Sequence, residues 1–122
     1  NRFDNMTGLR HMAIRSYYLT GKNEKCISLC NNSDNSDPLV LLFKARAQRN
    51  NRLVNDAINT YTEQLKLQPF NTNSLIECVM LMLSIDQQKE AGILISGHMN
   101  ETRDLKSVTD LVKKYELGEY VG

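Results

Sequence analysis

This 122-residue chain contains two histidines and three cysteines, residue types that can support catalysis or metal binding. Cys26 and Cys30 are four residues apart in a helical pattern, so both thiols face the same way and would supply half of a zinc site. Two more ligands would have to come from elsewhere, and we therefore expect buried structural thiols and no bound metal. His11 and His98 belong to no catalytic motif, and His98 is expected to close a helix C-terminus.

The sequence also lacks the motifs of nucleotide-binding and hydrolytic enzymes. It has no glycine-rich phosphate loop and no Gly-x-Ser-x-Gly turn. We therefore predict neither catalysis nor a cofactor, and expect the function to be binding.

Composition and charge narrow the classes of protein further. Hydrophobic residues make up 41% and charged residues 24%, which is typical of a globular domain. The formal net charge of +1 argues against a nucleic-acid partner. The longest apolar stretch, residues 75–85, is shorter than the roughly 20 residues that a membrane span needs. An odd cysteine number predicts an intracellular protein, cytoplasmic or nuclear, and the start at Asn1 predicts a fragment of a longer chain.

The elements that position these residues are predicted to be helices, because apolar residues recur at a spacing of 3.6 and strict alternation is nearly absent. The class is therefore all-α. Turn signals divide the chain at Gly21, at residues 31–38, 50–51, 68–71 and 97–100, and at Asp86. We predict one domain, residues 1–122, with helical hairpins at 7–34, 38–68 and 72–99 and an amphipathic helix at 102–118.

The predicted hairpins resemble one another at a period of 34 residues. Pairs at this spacing agree in kind: Leu41 with Leu75, Ala45 with Val79, Ala57 with Ala91 and Tyr61 with Ile95. A three-residue deletion brings the first hairpin into the register and aligns Gly21 with Arg52.

This pattern resembles the tetratricopeptide repeat family. The residues that carry the resemblance are Tyr17, Gly21, Cys26, Leu41, Ala45, Ala57, Tyr61, Pro69, Leu75, Val79 and Ala91. It implies a right-handed superhelical stack of about three hairpins, in which the helix at 102–118 caps the end or begins a fourth hairpin. Residues 69–71, Pro-Phe-Asn, also resemble the tetratricopeptide subunits of the anaphase-promoting ubiquitin ligase, which form homodimers.

The same resemblance implies a concave groove lined by the first helix of each hairpin. The partner-binding residues that it implies are Arg15, Tyr18, Leu42, Arg46, Arg49, Ile76, Met80 and Leu83. The arginines would bind carboxylate or phosphate groups, and the apolar residues at the other end would anchor apolar side chains. The predicted partner is therefore a protein or peptide segment that is acidic and carries an apolar anchor.

Other interpretations of these residues stay open. The arginines also fit a solvated helix face, and the apolar residues also fit burial beneath the helix at 102–118. A second copy of the chain could meet the apolar third hairpin, which would make this a homo-oligomerisation domain. A helical-repeat RNA binder would use the arginines and Tyr18, but the near-neutral charge argues against it.

Overall fold

The structure is a computed structural model that describes the backbone of residues 2–122 and the side chains of residues 7–122. This part of the chain contains seven α-helices and no strand, which confirms the all-α class. The helices are α1 (Arg2–Leu19), α2 (Asn23–Asn31), α3 (Pro38–Asn50), α4 (Val54–Leu67), α5 (Thr72–Ser84), α6 (Gln88–His98) and α7 (Leu105–Lys114). Asn1, the first residue of the predicted domain, lies outside the described residues.

The chain divides into two compact units, residues 1–60 and residues 61–122, with the boundary within α4. In the first unit α1 packs against α2 and α3, and α2 packs against α3. In the second unit α5 packs against α6 and, over a smaller area, against α7. The single domain and the superhelical stack of tetratricopeptide-like hairpins remain predictions.

Small and apolar side chains fill the interior of each unit. The first unit buries Ile14, Cys26, Cys30, Val40, Phe43 and Ala47 as one cluster. Where the sequence predicts close approach of paired helices, Ala45, Ala57 and Ala91 are fully buried. The side chain of alanine is only a methyl group, so the backbones of packed helices can lie close together at these positions.

Four helices end in the same backbone arrangement. Each is followed by a residue of positive φ, namely Gly21, Arg52, Asp86 and Glu116 after α1, α3, α5 and α7. The next amide then donates to a carbonyl in the last turn, as from Leu53 to Gln48 and from Gln87 to Met82, both at 2.9 Å. This is the Schellman motif, which satisfies the carbonyl groups that a helix end leaves unpaired.

Polar side chains cap the N-termini of three of these helices. Asp37 Oδ1 accepts from the backbone amide of Leu39 at 3.0 Å, and Pro38 occupies the first turn of α3. Asn71 caps α5 and Asp104 caps α7 in the same way. The side chains accept hydrogen bonds from amides that have no partner within the helix.

The last helix is shorter than the predicted range of 102–118. It starts at Leu105 because Asp104 caps it, whereas Thr102 instead lies 2.8 Å from the hydroxyl of Thr72. It ends at Lys114 because Glu116 adopts a φ of 56°, ahead of Gly118. Leu117, which follows this turn, is fully buried.

Candidate functional site

The first unit brings three of the predicted binding residues together around an aromatic ring. Tyr18 from α1 packs edge-on against Phe43 from α3, with ring centroids 5.4 Å apart. The guanidinium group of Arg46 lies over the Phe43 ring, 5.6 Å from its centroid. Arg49 Nη2 donates to the hydroxyl oxygen of Tyr18 at 3.2 Å. We call these four residues the arginine–aromatic cluster.

Helix geometry explains why the cluster forms. Phe43, Arg46 and Arg49 are three residues apart along α3, so their side chains follow one another on one face. Phe43 is buried in the core of the first unit, and Tyr18 packs against that core. The rings thus form a fixed base, and the two guanidinium groups are held on it in a half-buried position.

Arg15 and Leu42 complete the predicted set in the first unit. Arg15 is exposed on α1, one turn before Tyr18, and Leu42 is half-buried on α3. His11, also on α1, has a defined partner, because its Nε2 lies 2.6 Å from Asp37 Oδ2. That contact links α1 to the residue that caps α3, which indicates a structural role for His11.

The second unit holds the apolar residues of the predicted set on α5. Met80 is 41% exposed, whereas Ile76 and Leu83 are half-buried. The side chain of the intervening Glu77 accepts a hydrogen bond from the hydroxyl of Tyr61 at 2.8 Å. We call Ile76, Met80 and Leu83 the apolar face of α5.

The alternative interpretation, in which α7 buries this face, does not hold for Met80, which is exposed. The described contacts tie the segment before α7 to the beginning of α5: Asp104 N donates to Thr72 Oγ1 at 3.0 Å, and Arg103 N donates to Phe70 O at 3.2 Å. The guanidinium group of Arg103 also lies 4.0 Å from the centroid of the Phe70 ring. These contacts are formed two or more helical turns before Met80, whose side chain remains accessible.

The cysteines are buried and free. Burial raises the pKa of the Cys78 thiol to about 12. The pKa of Cys30 is raised because its thiol donates a hydrogen bond to Cys26 and because it is buried. Among residues 7–122, no three His, Cys, Asp or Glu side chains are grouped so that they could hold a metal ion. His98 is the last residue of α6, as predicted, and its Nδ1 lies 3.1 Å from the carbonyl oxygen of Pro69.

Two features of the structure had not been predicted from the sequence. Charge is unevenly distributed: residues 1–60 contain nine Lys and Arg against five Asp and Glu, whereas residues 61–122 contain six against nine. A count by unit would have revealed this. The segment after α7 also packs onto α6, where Gly92 leaves room for Tyr120; a glycine inside a predicted helix was the available signal.

No helix in the described part of the chain is both long and apolar enough to cross a lipid bilayer. Comparisons with protein-family models, with curated proteins and with solved structures found no match to the chain.

Proposed function

We propose that this chain is a protein-binding module of tetratricopeptide-like hairpins, without catalytic activity, and that it binds partner segments on the first helix of each hairpin. The observation that carries the proposal is the arginine–aromatic cluster, in which the guanidinium group of Arg46 lies over the buried Phe43 ring and that of Arg49 donates to the hydroxyl of Tyr18. Guanidinium groups fixed in this way lose little side-chain entropy when they bind a carboxylate.

The spacing of the helix caps supports the repeated hairpins. Asp37 and Asn71, which begin α3 and α5, are 34 residues apart, and so are Arg52 and Asp86, which follow them. Gly21 precedes Arg52 by 31 residues, in agreement with a three-residue deletion in the first hairpin. In this proposal the hairpins form the right-handed superhelix of the family, and α7 caps it.

The first unit is proposed to bind acidic groups of the partner. Its excess of Lys and Arg attracts a negatively charged segment, and the cluster supplies planar groups that can form paired hydrogen bonds to a carboxylate. Arg15, exposed one turn before Tyr18 on α1, extends this basic surface.

The second unit is proposed to bind an apolar side chain of the partner on the apolar face of α5. Met80 is flexible and exposed, and a thioether adapts to differently shaped apolar groups. The same exposure favours one other candidate function, in which a second copy of the chain covers this face and the protein acts as a homo-oligomerisation domain. The three free, buried cysteines are consistent with a reducing compartment, and we propose a cytoplasmic or nuclear location.

The proposal is tested by titrating a partner that has been recovered with the full chain against two single variants. Arg46→Glu should weaken binding to the first unit, and Met80→Glu should weaken binding to the second, each by about tenfold or more if the residue is a binding hot spot. Lys66→Glu and Leu67→Glu, at exposed positions of α4, are the matched controls. Circular dichroism of each variant verifies that the helices are intact.

Two results would count against this function. Unchanged affinity of both variants would show that neither surface binds the partner. Sedimentation at rising concentration separates the alternatives, because a mass that doubles in wild type and not in Met80→Glu would assign the apolar face of α5 to self-association.

A further inference from the structure

The outward face of α1 carries the most exposed large hydrophobic side chains of the described residues. Leu9 is 64% exposed, Met12 67% and Leu19 69%. Side chains of this size that lie exposed in a row are uncommon on a surface that meets only water. None of the three belongs to the surfaces assigned above.

These residues follow the spacing of a helix-pairing seam. Positions 9, 12, 16 and 19 repeat at intervals of three and four residues, which is the heptad pattern of paired helices. Ser16 occupies the fourth position and is small enough for another helix to approach closely. Ile14, on the opposite side of α1, is fully buried in the core of the first unit. The seam therefore faces away from the core, where another helix can contact it.

The basic charge beside the seam indicates the charge of the partner. From Thr7 to Lys22 the chain contains no Asp or Glu, whereas Arg15 is basic and exposed. Arg10 is also exposed, but its guanidinium group donates to the carbonyl oxygen of Asn32 at the end of α2, at 2.9 Å. Arg15 directly precedes Ser16 in the heptad, the position from which a charged side chain reaches across to a paired helix. The α1 of a second copy would offer no carboxylate to this arginine within the same stretch. A helix with acidic residues beside its apolar seam complements both features.

We infer that the outward face of α1 docks one amphipathic helix of a partner protein, and that acidic residues flank the apolar seam of that helix. Leu9, Met12 and Leu19 interdigitate with the apolar residues of the incoming helix, and Arg15 pairs with its carboxylates. The apolar contacts of this site are separate from the surfaces proposed above, because they come from the face of α1 opposite to the buried Ile14, whereas Arg15 lies at the border of both.

The test uses two designed helical peptides of three heptads each, with leucine at both seam positions. One peptide carries glutamate at the flanking positions, and the other carries lysine there. Fluorescence anisotropy measures the binding of each to the full chain. We expect the acidic peptide to bind at least about tenfold tighter than the basic one, and its affinity to fall as salt is raised.

Variants locate the bound peptide on α1. Met12→Glu places a carboxylate in the seam and should weaken binding of the acidic peptide by about tenfold or more. Ile93→Glu, on α6 at 56% exposure, is the matched control and should leave the affinity unchanged. Met12→Gln, which adds no charge, should give an intermediate loss of affinity.

Three results would overturn the inference. They are equal affinity for the two peptides, unchanged affinity in Met12→Glu, and an equal loss of affinity in the Ile93→Glu control. Sedimentation provides a further check, because a dimer of the wild-type chain that Met12→Glu abolishes would show that the occupant is a second copy.

Discussion

Replacing Gly92 in α6 by alanine should destabilise the protein, although alanine is the better helix former. A Cβ atom at Gly92 would lie 2.2 Å from Cβ of Tyr120, and 3.2 Å from both Cα and the carbonyl carbon of that residue. The Cβ atom of Tyr120 is bonded to the backbone, so a change of rotamer cannot move it away. The segment that follows α7 would have to shift away from α6.

The expected magnitude is the difference of two opposing effects. Alanine in a helix interior is favoured over glycine by about 1 kcal/mol. Overpacking a filled site costs about 1–3 kcal/mol, so Gly92→Ala should lower the free energy of unfolding by up to about 2 kcal/mol. Gly97 is the matched control, because it lies in the same helix and a Cβ there meets no atom within 4 Å. Gly97→Ala should therefore raise the free energy of unfolding by up to about 1 kcal/mol.

Urea denaturation of the two variants measures both effects, and a second substitution isolates the clash. Tyr120→Gly removes the Cβ atom that Gly92→Ala would meet at 2.2 Å. In that background Gly92→Ala should lose most of its destabilising effect, and the coupling between the two sites should be about 1 kcal/mol or more. If Gly92→Ala and Gly97→Ala stabilise the protein equally, the contact between α6 and the segment after α7 is refuted.

Three further predictions concern a cap, a thiol and a turn. The Ser107 hydroxyl, and to a smaller extent the Ser107 backbone amide, donate to Asp104 and hold the pKa of the Asp104 carboxyl below its usual value. The contribution of Asp104 to stability should therefore be present above the unfolded-state pKa and lost as pH falls through the folded-state pKa. Asp104→Asn should flatten this part of a stability profile measured by urea denaturation at acidic pH. The Cys78 thiol, whose pKa burial raises to about 12, should react with a thiol-modifying reagent only after denaturation, and fast reaction in the native protein would contradict its burial. Gly21→Ala should cost roughly 1–2 kcal/mol in thermal or urea denaturation because φ is +75°, whereas Gly8→Ala within α1, where a Cβ meets nothing, should not destabilise.

The positions of the helices follow closely from the sequence, and the details of their ends do not. Turn signals predict each of the six loops between helices, because Gly, Pro, Asn and Asp favour local conformations that end a helix. The left-handed residue after α3 is nevertheless Arg52, beyond the predicted turn at residues 50–51. Arg52 adopts this conformation within a Schellman motif although glycine is the usual residue there, so composition alone does not locate the turn.

Which residues of the candidate site share a helix face could be predicted from the sequence, whereas contacts between residues of different helices could be predicted only in part. Arg46 and Arg49 lie on one face of α3, a relation that helical spacing dictates. The role of Phe43 as the base beneath Arg46 depends on how deeply α3 is packed, and the sequence does not state this depth. The pairing of His11 with Asp37 joins residues 26 positions apart, and only the tertiary fold brings them together.

Quantitative capture of proteins on the immobilised full chain tests the proposed function most directly. Wild type is compared with the double variant Arg46→Glu/Met80→Glu and with the control double variant Lys66→Glu/Leu67→Glu, and bound proteins are quantified by mass spectrometry. We predict that wild type and control retain the same specific proteins and that the Arg46/Met80 variant loses them. Retention of those proteins by a well-folded Arg46/Met80 variant would contradict the proposal that these two surfaces bind the partner.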